Sequence, residues 1–259
     1  MRISSENLPI QTADQPCQER YRPKLSLGFA DSESEVREAQ RLRYKVFGEE
    51  MGARLTTRIP GHDTDLFDPY CEHLLVRDEN IGKVVGTYRI LSPDAARRVG
   101  SYYSESEFSL TRLQHLRPRM VEVGRSCIHA DYRSGAVIAL LWSGLADYMT
   151  RRGHAYLIGC ASISMADGGH NAANLYQQLH ASQHAPHEYR VFPRHPLPFQ
   201  HLANGQPALV PPLLKGYFRA GSVVCGEPAW DPDFNTADLL LMLPMRQLAT
   251  RYQRHFLAA

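Results

Sequence analysis

A strand, a glycine-containing turn and a helix follow one another between residues 120 and 152, and this order constrains the fold more than any other feature. Residues 120–128 (MVEVGRSCI) have the apolar character of a strand, and Arg133-Ser134-Gly135 provides a turn. Residues 136–152 then have the apolar spacing of a helix, which Gly153 ends. Such a turn presents backbone N–H groups at the start of a helix, where they can bind a phosphate group.

Further short apolar runs predict a sheet around this unit. Residues 72–77 and 83–91 are β-branched and apolar, and the polar Asp78-Glu79-Asn80 between them favours an antiparallel hairpin. Three more strands and two more helices are predicted, at 155–161, 222–225 and 239–243 and at 33–47 and 171–180. Strands alternate with helices along much of the chain, which indicates an α/β protein with a mixed sheet.

Length and composition favour a single domain. The 259 residues, 43% of them hydrophobic, are sufficient for one sizeable core. Residues 1–30 are polar, contain Pro9 and Pro16 and lack the apolar core of a signal peptide, so we interpret them as a flexible leader. Residues 31–259 then form one domain, in which the seven prolines of residues 185–212 indicate an extended excursion.

Charge and cysteine usage limit the partners and the compartment. A net charge of +2 does not provide the strong positive field that nucleic-acid binding requires, so no nucleic acid is expected as a partner. The five cysteines show no regular spacing, which favours a reducing compartment such as the cytoplasm. No run approaches the roughly 18 apolar residues of a membrane span, so the chain is expected at most to touch a membrane surface.

Five short motifs, in this order, resemble those of the acyl-carrier-dependent branch of the GNAT-like N-acyltransferases. They are Arg41 to Phe47 (RLRYKVF), Asp65-x-x-Asp68, His73 to Val76 (HLLV), Val85 to Leu91 (VGTYRIL) and Glu122 to Arg125 (EVGR). Further segments are most similar to the ornithine N-acyltransferases within that branch: GRSC from Gly124, Leu141-Trp142, GCAS from Gly159, KGYF from Lys215 and FNTAD from Phe234. The resemblance implies a three-layer α/β/α fold with a central mixed, mostly antiparallel sheet.

The resemblance also implies an activity. These enzymes transfer a (3-hydroxy)fatty acyl group from acyl carrier protein to the α-amine of ornithine, which gives lyso-ornithine lipid. We therefore expect acyl carrier protein and ornithine as partners, with the acyl-phosphopantetheine carrier as co-substrate and no other cofactor or metal. Making a lipid from such a donor suggests a cytoplasmic protein in peripheral contact with the inner membrane. Direct acyl transfer to an amine needs no covalent enzyme intermediate, and no G-x-S-x-G nucleophile motif occurs.

The predicted catalytic residues are Glu122, Arg125 and Arg89. Glu122, on a central strand, is the candidate general base that removes the proton from the acceptor amine. The alternative for Glu122 is a structural ion pair with Arg125 or Arg43. The corresponding glutamate and arginine lie in the active site of the resembled family, which favours the catalytic role.

A second group of residues is predicted to bind the acceptor. Asp65, Asp68 and Glu72 lie within eight positions, and such carboxylates can hold a cationic acceptor such as ornithine. The alternative is a solvated loop stabilised by Asx turns. Arg43 and Phe47 share one face of the first predicted helix and are expected to point into the same cavity.

A third group is predicted to bind the acyl donor. Backbone groups near Ser126, Cys127 and Ile128, and the turn at Arg133, Gly135 and Ala136, are expected to hold a phosphopantetheine arm. Residues 97–152 contain nine arginines and five acidic residues, so a basic rim for an acidic carrier protein is predicted, against an ordinary solvated surface. Cys127 and Cys160 are interpreted as core residues. His180, His184 and His187 are not expected to form a metal site, because Pro186 interrupts any helix there.

Other functions stay open at this point. One alternative is an acyl-homoserine-lactone synthase that uses S-adenosylmethionine, or an N-acyl amino acid synthase with another amine acceptor. The first is disfavoured by the long segment after residue 180. Another is a non-catalytic module that binds acylated carrier or lipid. Such a module would not require Glu122 and Arg89.

Overall fold

A computed structural model describes residues 21–247, in which helices pack around one large sheet. The strands are β1 (Leu25–Phe29), β2 (Glu72–Asp78), β3 (Lys83–Leu91), β4 (Phe108–Ser109), β5 (Met120–Ile128), β6 (Tyr156–Ser164), β7 (Phe192–Pro193), β8 (Val223–Val224), β9 (Ala229–Asp231) and β10 (Thr236–Pro244). The α-helices are α1 (Glu33–Arg43), α2 (Pro93–Val99), α3 (Ala136–Arg151), α4 (His170–Gln177), α5 (Phe199–Leu202) and α6 (Pro212–Ala220). None of the helices in this part of the chain is both long and apolar enough to cross a membrane.

The main sheet has the strand order β1-β2-β3-β5-β6-β10-β8, and β9 also pairs with β10. All of these neighbours are antiparallel except β5 and β6, which are parallel. Alternate residues of β2 pack on opposite helices: Leu74 belongs to the apolar cluster of α3, and Leu75 to that of α1. The prediction of a mixed, mostly antiparallel sheet between layers of helices is therefore confirmed.

The first helix is shorter than predicted. It begins as expected at Glu33, where the Ser32 side chain accepts a hydrogen bond from the Glu35 backbone N–H. The α-helix ends at Arg43, and residues Tyr44–Glu50 continue it as a π-helix instead of the predicted α-helix to residue 47. Such wider turns are rare and are often found at functional sites.

Part of the predicted leader needs correction, and the proline-rich excursion packs against the rest of the structure. Residues 25–29 of the predicted leader form β1, because their backbone groups pair with the edge of β2, while residues 1–20 lie outside the described residues. The segment 185–212 packs onto the domain: β7 pairs with β4, and Val191 and Leu197 are buried in apolar clusters.

Strands β5 and β6 separate soon after they start. They pair only from Met120 to Glu122 and from Tyr156 to Ile158, and each then continues beside its other neighbour. A β-bulge near Arg125, whose φ is 51°, bends β5 at this point. The separation opens a gap in the middle of the sheet.

Gly159 lies where the two strands begin to separate. A Cβ atom there would be 2.5 Å from the backbone oxygen of Val123, so only glycine permits this approach. We expect Gly159→Ala to lower the free energy of unfolding by ~1–3 kcal/mol, because the two backbones must move apart. Urea unfolding measures the change. Gly28→Ala is the control, since its Cβ meets no atom within 4 Å; equal destabilisation of both variants would contradict the argument.

Candidate active site

A cavity of about 880 Å³ occupies the gap between β5 and β6. Its walls include Glu122 to Ile128 on one strand and Leu157 to Ser162 on the other, and α6 closes one end. A cavity of this volume is large enough for a small-molecule substrate.

One end of the cavity is apolar. It is lined by the side chains of Ile138, Trp142, Leu213, Tyr217, Leu241 and Leu243. The Trp142 and Tyr217 rings stack with their centroids 5.4 Å apart, and the Tyr217 hydroxyl is hydrogen-bonded to that of Tyr88. This end has the chemistry required to bury a hydrocarbon chain.

A network of three arginines and three aspartates lies beside the cavity. Arg43, which is fully buried, donates from Nε to Asp63 Oδ2 at 2.8 Å and from Nη1 to Asp68 Oδ1 at 2.9 Å. Arg89 Nη1 donates to Asp68 Oδ1 at 3.0 Å and to both oxygens of Asp65 at 2.7 Å. These pairs hold the pKa of Asp68 well below its usual range, against the opposing effect of burial.

The aspartates of this network are already paired with the chain's own cations. Asp65 and Asp68 do not line the cavity, whereas Arg89 does. The prediction that these two carboxylates hold a cationic acceptor is therefore not supported by their contacts. Glu72 also lies outside the cavity, where it accepts hydrogen bonds from Tyr148 and Arg152. Of the predicted acceptor residues, Phe47 lines the cavity.

Arg125 completes the network from the bulge of β5. Its Nε lies 3.1 Å from Asp63 Oδ2, and its guanidinium lies between the rings of Tyr103 and Phe234, 4.9 Å from each centroid. A left-handed backbone is strained for an arginine, and such strain concentrates at functional sites. Arg89 and Arg125 both line this part of the cavity and can donate hydrogen bonds to a carboxylate or a developing oxyanion, although the three aspartates balance the charge of the network.

Glu122 lines the cavity without an ion pair to Arg125 or Arg43, the alternative suggested by the sequence. Its carboxylate accepts hydrogen bonds from the backbone N–H groups of Tyr103 at 2.6 Å and Ser104 at 2.8 Å. Burial raises the pKa of Glu122, and these two hydrogen bonds oppose the increase. The role of general base stays a prediction, and Glu122 is among the residues that line the cavity.

Most of the predicted donor-binding residues line the cavity. Ser126, Cys127, Ile128, Arg133 and Gly135 do so, and Ala136 is the first residue of α3. No side chain caps the N-terminus of α3, where Gly135 adopts a φ of 107°, so backbone N–H groups there can bind an anion.

Two other predictions on the donor side concern the thiol and the basic rim. Burial raises the pKa of the Cys127 thiol to about 12, which makes it a poor nucleophile at neutral pH. Of the nine arginines between residues 97 and 152, Arg125 and Arg133 line the cavity. Arg133 is also paired with Glu50, so the basic rim near the opening is smaller than the sequence suggests.

Comparison with known proteins identifies the family. Residues 42–143 match the family model described as "Acetyltransferase (GNAT) domain". An L-ornithine N(alpha)-acyltransferase of Brucella abortus (strain 2308) is 34% identical over 252 residues, which cover 90% of this chain and 88% of that protein. Another of Rhizobium meliloti (strain 1021) is 35% identical over 251 residues, which cover 90% and 84%. The chain belongs to the L-ornithine Nα-acyltransferase family.

A solved structure supports the fold of this acyltransferase. FeeM, an N-acyl amino acid synthase from uncultured soil microbes, superposes with a TM-score of 0.55 at 12% sequence identity. The match covers 89% of this chain and 96% of FeeM. At this identity the likeness shows the fold alone.

The cavity of the acyltransferase also contains residues that the sequence analysis did not select. Oxygen atoms of Glu107 and Asp238 and the sulfur of Cys160 lie within 4.8 Å of one another, and Cys160 and Asp238 line the cavity. Burial and the neighbouring Asp238 raise the pKa of Glu107 to about 9, and burial raises that of Asp238. A single aspartate within the apolar strand TADLLLMLP was the available signal for Asp238. Glu107 lies in a polar stretch and gives no such signal.

Proposed function

We propose that this protein transfers a fatty acyl group from acyl carrier protein to the α-amine of ornithine, which yields lyso-ornithine lipid. The observation that carries the proposal is the identity of more than 30% with L-ornithine N(alpha)-acyltransferases over 90% of the chain. The cavity is compatible with it, because one end is apolar and the other contains Arg89, Arg125 and Glu122.

The proposed reaction is a direct aminolysis of a thioester. The acceptor nitrogen attacks the carbonyl carbon, a C–N bond forms, the C–S bond breaks, and the carrier thiol leaves with one proton. Glu122 accepts the proton of the amine, and Arg125 or Arg89 binds the carboxylate of the amino acid. The buried thiols near the cavity, Cys127 and Cys160, have raised pKa values and take no part as nucleophiles.

The donor in this proposal is an acyl-phosphopantetheine carrier. The unpaired edges of β5 and β6 can hold the pantetheine arm, and the uncapped N-terminus of α3 its phosphate. The (3-hydroxy)acyl chain then extends toward Trp142 and Tyr217. A cytoplasmic location with peripheral contact at the inner membrane would let the lipid product leave directly into the bilayer.

Two parallel incubations test the acyl donor, the acceptor and the class of function together. Purified protein is incubated with 3-hydroxyacyl carrier protein or 3-hydroxyacyl-CoA, with L-ornithine, S-adenosylmethionine and the other amino acids present, and the products are identified by mass spectrometry. We expect Nα-acyl-ornithine, formed faster from the carrier protein. An acyl lactone or another acyl amino acid would replace the proposal by one of its alternatives. Tight carrier binding without loss of thioester would indicate the non-catalytic module.

A further inference from the structure

Asp238 lines the cavity, and Glu107, which does not line it, has a carboxylate oxygen within 4.8 Å of one of Asp238, so the two form a buried acidic pair. Asp238 is 4% exposed, its Oδ1 has no hydrogen-bond partner, and both carboxylate oxygens of Glu107 are buried without one among residues 21–247. No lysine or arginine of this part of the chain forms an ion pair with either side chain. Buried carboxylates are normally paired, so this arrangement costs stability unless a ligand compensates for it.

A separate polar group faces the same cavity. Thr236 is 2% exposed and lines the cavity; no residue of 21–247 lies in good hydrogen-bond geometry with its Oγ1 atom, although this hydroxyl is near enough to Asp238 to oppose the rise in the pKa of that acid. Thr236 and Asp238 are two residues apart on β10, so their side chains project from the same face of the sheet. Unsatisfied acceptors from β10 and from the segment that holds Glu107 therefore lie together at one wall.

The charges around the cavity are divided between two regions. Near the bulge of β5, the three aspartates 63, 65 and 68 are matched by Arg43, Arg89 and Arg125, so these aspartates are not available to a cationic substrate. Near β10, neither Glu107 nor Asp238 forms an ion pair with a lysine or arginine of residues 21–247. Burial and the neighbouring Asp238 raise the pKa of Glu107 to about 9, so Glu107 is protonated at neutral pH and the pair holds at most one negative charge. The acidic side chains near β10 therefore lack a positively charged partner, unlike the aspartates near the bulge.

We infer that Glu107 and Asp238 bind the side-chain ammonium group of the amino-acid acceptor and thereby select a basic amino acid over a neutral one. The inference rests on the proposed function and adds the residues that determine its acceptor specificity. A primary ammonium has three N–H donors, and the Asp238 carboxylate, the carbonyl oxygen of the protonated Glu107 and the Thr236 hydroxyl offer three acceptors. The α-carboxylate of the same molecule then points toward the guanidinium groups of Arg89 and Arg125.

A metal ion is the competing occupant of this cluster. Glu107, Cys160 and Asp238 have the spacing of a metal site. A cysteine ligand must be a thiolate, whereas burial and the charge of Glu107 raise the pKa of Cys160 well above its usual value. The acidic pair with a neutral thiol suits an ammonium group better than a transition metal.

The test compares two acceptors that differ only in the side-chain amine, L-ornithine and L-norvaline. The variants are Glu107→Gln and Asp238→Asn, and Asp233→Asn is the matched control, because it removes the same charge from an exposed position nearby. In the wild type we expect kcat/KM to favour ornithine by ~10–100-fold, the usual contribution of hydrogen bonds to a charged group. In both variants the preference should fall to within a few-fold, through a higher KM for ornithine, whereas Asp233→Asn should keep the preference of the wild type.

Thermal unfolding provides a second measurement. Both variants should have a midpoint equal to or above that of the wild type, since Asp238→Asn removes an unpaired buried carboxylate and Glu107→Gln replaces a neutral acid by a neutral amide. A lower midpoint with equal losses for both acceptors would assign the pair a structural role. If the folded variants kept their preference for ornithine, the inference would be overturned. The inference would also be overturned if EDTA abolished the ornithine preference of the wild type, because a metal ion would then be the occupant. If the wild type acylates neither amino acid, the proposed function itself fails instead.

Discussion

Replacing Asp68 by Asn should cause the largest loss of stability of any single substitution in the arginine–aspartate network. Asp68 Oδ1 accepts hydrogen bonds from Arg43 and Arg89, and Oδ2 accepts from Arg43, Gln40 and the backbone of Asp65. Whichever oxygen becomes an NH₂ group, at least two donors then face a donor. Because the buried Arg43 also loses a counter-charge, we expect the free energy of unfolding to fall by ~3–5 kcal/mol.

Urea unfolding at neutral pH measures this change. The control is Glu33→Gln, which alters the i,i+4 pair with Arg37 on α1, where the glutamate side chain is 80% exposed. Exposed pairs of this kind contribute little, so a change within ~0.5 kcal/mol is expected there. If Asp68→Asn had the same urea midpoint as the control variant, Asp68 would belong to a solvated loop, which is the alternative that the sequence left open.

The dependence of this stability on pH has a definite direction. The pKa of Asp68 is lower in the folded protein than in the unfolded chain, so its contribution is fully present above the ordinary aspartate pKa of about 3.9. It is lost as the pH falls below that value toward the folded pKa. The difference in stability between the wild type and Asp68→Asn should therefore shrink in acid.

Most of the sheet could be predicted from the sequence because its strands are short apolar runs with polar turns between them. Lys83–Leu91 and Met120–Ile128 have the bounds that this pattern indicates. The strand Leu25–Phe29 could not, because it is partly exposed and is held by backbone pairing to β2, a tertiary interaction. The π-helix after Arg43 likewise depends on its surroundings and not on local preference.

The motifs selected part of the candidate site, but the pairing of its residues could not be predicted. The motifs selected Arg43, Asp68 and Arg89, yet their ion pairs join positions more than 20 residues apart in the chain. A count of acidic residues therefore suggested an acceptor site where the chain neutralises its own charge. The uncompensated acids, Glu107 and Asp238, are brought together only by the packing of β10 against the segment before β5, which no local pattern reveals.

Replacing Glu122 by Gln should cause the largest loss of activity. A general base contributes ~10²–10⁴-fold to the rate, so we expect kcat to fall by at least ~100-fold with little change in KM. In the wild type, kcat should decrease as the pH falls through the pKa of Glu122. Burial raises this pKa above the ordinary glutamate value, and the variant should lack this acid limb. Initial rates with acyl carrier protein and ornithine across pH measure both effects.

Glu122 also holds a loop, and the two roles can be separated. Its carboxylate anchors the backbone N–H groups of Tyr103 and Ser104, so the variant also loosens the segment that carries Tyr103. Glu105→Gln is the matched control, because Glu105 binds the Tyr102 N–H and Arg117 in the same segment but does not line the cavity. If Glu122 acts on the proton, Glu105→Gln keeps most of the activity, and formate restores part of the kcat of Glu122→Ala. Equal losses in Glu105→Gln and Glu122→Gln, without rescue by formate, would reduce Glu122 to a positioning residue.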